Sequence, residues 1–142
     1  MNAHKARLYF SLQRTATELK AAADRALTEA ASITTSQAAV LAAVKDHGPV
    51  RQNALAEMLE QNEAAITQML SKLESRGLVA RHRSSDDQRA WDVEISEKGL
   101  DALSAAGPAF AEINALLDAA LEEDQCVFVD RLAAIRRALK TL

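Results

Sequence analysis

The sequence has 142 residues, a length that suits one domain or a small module with extensions. Hydrophobic residues make up 49% of the chain and aromatic residues 4%, because much of the apolar content is alanine. Such a chain forms helix readily but builds a thin core, which favours burial of apolar surface between subunits. A formal net charge of −3 argues against a protein that coats polyanions by bulk attraction, but it leaves room for one locally positive face. The single cysteine, Cys126, excludes an intrachain disulfide framework and suits a reducing compartment. No stretch approaches the length of a membrane-spanning helix, and His4, Lys5 and Arg7 run straight into a helical pattern with no cleavage region. The expected location is cytoplasmic, without membrane association.

In chain order, Leu8, Leu12, Thr15, Leu19, Ala22 and Ala26 recur at four- and three-residue steps, which predicts one long helix from Lys5 to Ala30. That length exceeds what a small module needs to cover itself, so the helix is assigned to a dimer interface. Thr34-Thr35-Ser36-Gln37 reads as a capping box that opens a new helix buried through Val40, Leu41 and Val44. His47-Gly48-Pro49 ends it.

The stretch from Val50 to Gly99 carries most of the information. A short helix over Leu55–Leu59 is followed by a turn, then by a second helix from Glu63 to Arg76. Asn62 is a good N-cap, and Gly77 suits the left-handed position past the helix end. Ile66, Met69, Leu70 and Leu73 form the buried face. Ala64, Gln68, Ser71 and Ser75 lie opposite, flanked by Thr67 and Lys72, and this short, almost uncharged face suits entry into a major groove. Strand patterns at Leu78–Arg83 and Arg89–Ile95 flank the polar turn Ser84-Ser85-Asp86-Asp87-Gln88 and read as a hairpin. Arg76, Arg81, Arg83 and Arg89 bring four guanidinium groups to this small unit, as a wing lying along DNA would. A surface hairpin laced with ion pairs is the bland alternative.

Ser96 opens the next helix, whose apolar stripe is Leu100, Leu103, Phe110, Ile113 and Leu117, and Gly107-Pro108 predicts a kink or short break in it. Leu121-Glu122-Glu123-Asp124 marks a turn and an acidic helix start. Phe128, Leu132, Ile135, Leu139 and Leu142 then form the last stripe, which is expected to pair with the first helix of the same or a partner chain. Nearby carboxylates at Cys126 disfavour a reactive thiolate. The histidines His4, His47 and His82 are far apart, no metal-ligand spacing or phosphate loop occurs, and neither an enzyme nor a cofactor is expected.

The central stretch resembles the MarR (multiple antibiotic resistance regulator) family of winged helix-turn-helix transcription factors. Leu55-Ala56-Glu57-Met58-Leu59 is similar to its first motif helix. Ile66 through Val79 is similar to its recognition helix running into the wing. Asp87-Gln88-Arg89-Ala90 resembles the wing signature, and Ile95-Ser96-Glu97-Lys98-Gly99 resembles the opening of the following helix. Glu60, Glu63 and the pair Arg51-Gln52 depart from the family pattern, the last standing where a Ser/Thr cap is usual.

The fold expected is mostly α with a small β-hairpin wing, a winged helix-turn-helix flanked by long terminal dimerisation helices. Residues 1–32 form the N-terminal dimerisation helix, 33–98 the DNA-binding module, and 99–142 the C-terminal dimerisation helices. The function expected is a sequence-specific DNA-binding regulator, a repressor, acting as a homodimer on a pseudo-palindromic operator. Gln68 is the first base reader, with Thr67 and Ser71 as adaptable contacts and Ala64 or Ala65 against a thymine methyl. Lys72, Arg81 and Arg83 are phosphate candidates. The match to the wing signature implies that Arg89 enters the minor groove, and Asp87 is expected to orient a nearby arginine. Leu8, Leu12, Leu19, Phe128, Leu132, Ile135 and Leu139 are assigned to the dimer interface. The resemblance also implies release by a small-molecule effector held between the dimer region and the winged module. The competing reading is a winged-helix protein-interaction module that has lost specific DNA binding.

Overall fold

The computed structural model describes residues 3–142, with side chains from Arg7 onward, so His4 and Lys5 lie outside the described side chains. Six α-helices and three short strands follow in the order α1 (Ala3–Ala31), α2 (Thr35–His47), β1 (Val50–Arg51), α3 (Gln52–Met58), α4 (Glu63–Ser75), β2 (Val79–Arg83), β3 (Trp91–Ile95), α5 (Glu97–Leu121) and α6 (Gln125–Leu139). A 3₁₀ turn at Glu122–Asp124 precedes α6. The chain divides into two compact units, Met1–Ala109 and Phe110–Leu142.

In the first unit the cap chemistry read from the sequence is in place. The Thr34 hydroxyl accepts from the Gln37 amide at 3.2 Å, and the Gln37 side chain accepts from the Thr34 amide at 3.0 Å, closing a capping box on α2. Asn62 Oδ1 accepts from the Ala65 amide at 2.8 Å at the start of α4, and Gly77 takes φ +72° just past its end. Ser96 Oγ accepts from the Gly99 amide at 3.0 Å and so caps α5.

The first turns of α2 are tied to α1 by Asp24. Its Oδ1 accepts from the Thr35 amide and hydroxyl at 2.8 and 2.6 Å, and its Oδ2 takes the Lys20 ammonium at 2.7 Å. The Lys20 bond first, then the two from Thr35, hold this carboxyl down at about 2.

The core of this unit gathers Leu27 and Ile33, Leu41 and Val44 of α2, Leu55 of α3, Ile66, Leu70 and Leu73 of α4, Leu78, and Val93 of β3, all essentially without solvent contact. Gly99 is buried where α5 starts, and a Cβ there would overlap the Leu78 carbonyl and crowd the Ile95 side chain. Only glycine permits that approach.

The structure adds detail at three places. The wing is a three-stranded antiparallel sheet, not a hairpin alone: β1 pairs outside β3 with Val50 opposite Val93 and Arg51 opposite Asp92, giving the order β1-β3-β2. Two residues cannot show a two-residue period, so β1 has no sequence signature. The helix over residues 97–121 runs on through Pro108 without a break. Proline costs one backbone donor there, and the turns on either side keep their own bonds. On α1 the buried positions near the C-terminal end are Ala23 and Leu27, one residue beyond the Ala22 and Ala26 of the expected stripe. The first half of α1 leaves Leu8, Tyr9 and Phe10 exposed.

The second unit comprises the end of α5, the 3₁₀ turn and α6. Gln125 Nε2 donates to the Glu122 carbonyl at 3.0 Å, securing the turn. No α6 residue is buried, and Phe128, Val129, Ile135 and Leu139 are exposed. Among the described residues no helix is long and apolar enough to cross a membrane.

Candidate nucleic-acid interface

The face that α4 turns away from the core is built by default. Once Ile66, Leu70 and Leu73 are buried, the 3.6-residue repeat leaves Ala64, Thr67, Gln68, Ser71, Lys72 and Ser75 exposed, with Ala65 at the margin. Among the described residues the side chains of Gln68 and Lys72 make no hydrogen bond or ion pair within the chain, so their polar groups are available to a partner. Thr67 is not free in that sense. Its hydroxyl donates to the Glu63 carbonyl at 2.8 Å and accepts from Gln52 Nε2 at 2.7 Å.

The four arginines of this region separate into distinct environments. Arg81 is clamped by Glu74 of α4: its amide and Nε donate to Oε2 at 3.1 and 3.4 Å, and Nη2 donates to Oε1 at 3.2 Å. Its Nη2 also reaches the Ser71 hydroxyl at 3.3 Å. The Arg81 bonds hold the Glu74 carboxyl below the usual carboxylate range. With the Arg81 side chain only 16% exposed, its charge is committed to fixing β2 against α4.

Arg83 stacks on Trp91, its cross-strand partner, with the guanidinium carbon 4.1 Å from the ring centroid; Arg81 lies 5.8 Å from the same ring. Trp91 is therefore a half-exposed platform under two cations. Arg76 is the half-buried cap residue of α4.

Arg89 is the exposed cation of the wing turn, and among the described residues its guanidinium makes no ion pair. Asp87 shapes the turn that presents it. Its carboxylate accepts from the Arg89 amide at 3.0 Å and its carbonyl from the Ala90 amide at 2.9 Å, so it orients the backbone of Arg89 rather than an arginine side chain. Asp87, Arg89 and Trp91 share a recess with Arg51, Gln52 and Glu63, which places the wing turn beside the starts of α3 and α4.

Sequence reasoning did not single out Glu74, Ser84 or the role of Arg51. Ser84 is buried, with its amide donating to the Ala90 carbonyl at 3.0 Å and its hydroxyl accepting from Arg51 Nη2 at 3.1 Å. A serine inside a polar turn reads as solvent-facing, and only the pairing of β1 with β3 brings Arg51 to it. The one available signal for Glu74 was its seven-residue separation from Arg81 across a helix–strand turn.

Comparison with known proteins agrees with this geometry. The MarR family profile matches residues 33–91, from the start of α2 into β3. The chain is 34% identical over 71 residues to the transcriptional repressor MdtR of Bacillus subtilis, covering 50% of this chain and 46% of that protein. It is 35% identical over 80 residues to the transcriptional regulator HosA of Escherichia coli, covering 56% and 59%. The matched segments thus span about half the length of these curated relatives. The M. tuberculosis regulator MOSR, solved in complex with DNA, superposes with a TM-score of 0.78 at 26% identity over 93% of this chain and 95% of that one. The MarR profile thus matches the winged part of the chain, and the cap chemistry, core and three-stranded wing give it the fold of the DNA-bound regulator MOSR.

Proposed function

We propose that this protein is a transcriptional regulator that binds double-stranded DNA as a homodimer, with α4 in the major groove and the wing along the backbone. The observation that carries the reading is the exposed face of α4, where Gln68 and Lys72 have no partner among the described residues, next to a wing whose Arg89 likewise has none there. Gln68 offers an amide to adenine, Ser71 and Thr67 add hydroxyls, and Ala64 and Ala65 are small enough to meet a thymine methyl. Lys72 and Arg83 serve phosphates, and Arg89 the minor groove. Arg81, given its bonds to Glu74, acts as a brace and not as a phosphate contact.

Dimerisation is supported by the apolar side chains that each unit leaves uncovered: Leu8 and Leu19 with half-buried Leu12 on α1, and Phe128, Ile135 and Leu139 with half-buried Leu132 on α6. On this reading 1–32 and 99–142 serve dimerisation and 33–98 binds DNA. A two-fold dimer implies a pseudo-palindromic operator with half-sites about 34–36 Å apart. Repression is the role of the relative MdtR, and we extend it to this chain together with release by a small-molecule effector.

The test is binding to the upstream intergenic DNA of its own gene, against random DNA, across a salt series. Selective binding that weakens with a log–log slope of about 0.9 per phosphate contact supports the reading. Weak binding, equal on both DNAs, refutes it. That outcome would favour a protein-interaction module, for which the exposed Glu60 and Glu63 at the α3–α4 turn are the supporting feature. Compounds that lower operator affinity would identify the effector class, and none doing so would refute release by a ligand.

A further inference from the structure

Gln52 opens α3, one residue past the N-cap Arg51, whose side chain makes no cap bond. Its Nε2 crosses from the start of α3 to Thr67 on the outward face of α4, at 2.7 Å. The Thr67 proton is already given to the Glu63 carbonyl at 2.8 Å. Reversing the Gln52 amide would set Oε1 against a hydroxyl with no proton left to give, so the donor orientation is enforced. The cost of this arrangement is visible, because Gln52 Oε1 is buried without a hydrogen-bond partner. Threonine in a helix divides between two side-chain rotamers, one of them bonded back to the preceding turn. The Gln52 bond selects that one.

From this geometry we infer that Gln52 is a positioning residue for base reading: it holds Thr67 as a hydroxyl that accepts and does not donate. This rests on the DNA-binding reading above. A hydroxyl with one free lone pair and no free proton is matched by an amino group in the major groove, N6 of adenine or N4 of cytosine, and is mismatched to the acceptor edges of guanine and thymine. The base pair under Thr67 is therefore read as adenine or cytosine on the contacted strand. Without Gln52, Thr67 gains its second rotamer, frees its proton and loses that discrimination.

The experiment is sequence selection from a randomised operator library by the wild-type protein, Gln52→Leu, Thr67→Val and the double variant, with thermal melts of each. Gln52→Met serves as a second variant in case leucine does not fold. The wild type should favour adenine or cytosine at one position per half-site by about threefold to tenfold, the effect of one hydrogen bond. Gln52→Leu should flatten that position alone, and adding it to Thr67→Val should change nothing further. A Gln52 variant that melts lower yet keeps the wild-type base profile makes the bond a brace between helices and overturns the inference. So does a change at a position that Thr67→Val leaves alone. A wild type that enriches no sequence overturns the DNA reading itself, and this inference with it.

Discussion

Two arginines of one wing, Arg81 and Arg89, should fail in opposite ways. Arg81→Ala removes two side-chain hydrogen bonds to Glu74 and one to Ser71, leaving the Glu74 carboxylate with only the backbone amide of residue 81. A charge-assisted bond contributes about 1.5–3 kcal/mol when buried, but Glu74 is 41% exposed, so the pair is discounted toward the surface value, to about 1–2 kcal/mol in all. For 142 residues the unfolding entropy is about 0.3 kcal/mol/K, so Tm should fall by about 3–7 °C. Arg89→Ala removes no intrachain side-chain bond and should leave Tm within about 1–2 °C of wild type, in keeping with a surface substitution.

The assay is thermal and urea unfolding at one fixed protein concentration, since dimerisation would make Tm concentration-dependent. It is read beside DNA affinity at one fixed salt concentration. Arg81→Ala and Glu74→Gln should each lower stability, and the double variant should cost less than the sum, because both remove the same contact. Arg89→Ala should weaken DNA binding roughly uniformly across sequences and reduce the salt slope by about one contact. If Arg81→Ala keeps full stability and loses DNA affinity with the phosphate signature, the division of labour argued here is wrong and Arg81 is a backbone contact.

Other outcomes follow from single sites. Gln68→Ala should alter preference at one base pair by about 1–3 kcal/mol without a change in Tm, and an unchanged selection profile would remove Gln68 from base reading. Gly99→Ala should cost about 2–3 kcal/mol in urea unfolding, since the new Cβ meets the Leu78 carbonyl, which cannot yield without moving the turn after α4. Asp24 is held at about 2 against an ordinary 3.8, so its stabilisation is fully present above the unfolded value and is lost as pH falls from about 5 through 2. The size is about 1–2 kcal/mol after allowing for partial exposure, and Asp24→Asn should flatten that part of the acid-stability curve. Phe128→Asp with Leu139→Asp should give a folded monomer by sedimentation velocity, and a persistent dimer would remove α6 from the interface.

Local chemistry alone determined much of this protein. The capping box at Thr34 and Gln37, the Asn62 cap, Gly77 past α4, and the three- and four-residue spacing of Ile66, Leu70 and Leu73 each act within a few residues, so the chain order shows them directly. The outward face of α4 followed from the same period, because what is not buried on a helix must face out. The tertiary structure decided everything that depends on distant partners. Val50 and Arg51 become a strand only because Val93 and Asp92 arrive beside them. Arg81 and Arg89 look alike in sequence, yet Glu74 neutralises one and the Asp87 turn exposes the other. Trp91 supports Arg83 only because the strand register sets them opposite each other. Thr67 reads as an adaptable polar contact until Gln52, fifteen residues earlier, takes its lone pair. A side chain's neighbours across the fold settle whether its charge or hydroxyl remains available, and spacing along one helix or strand does not record them.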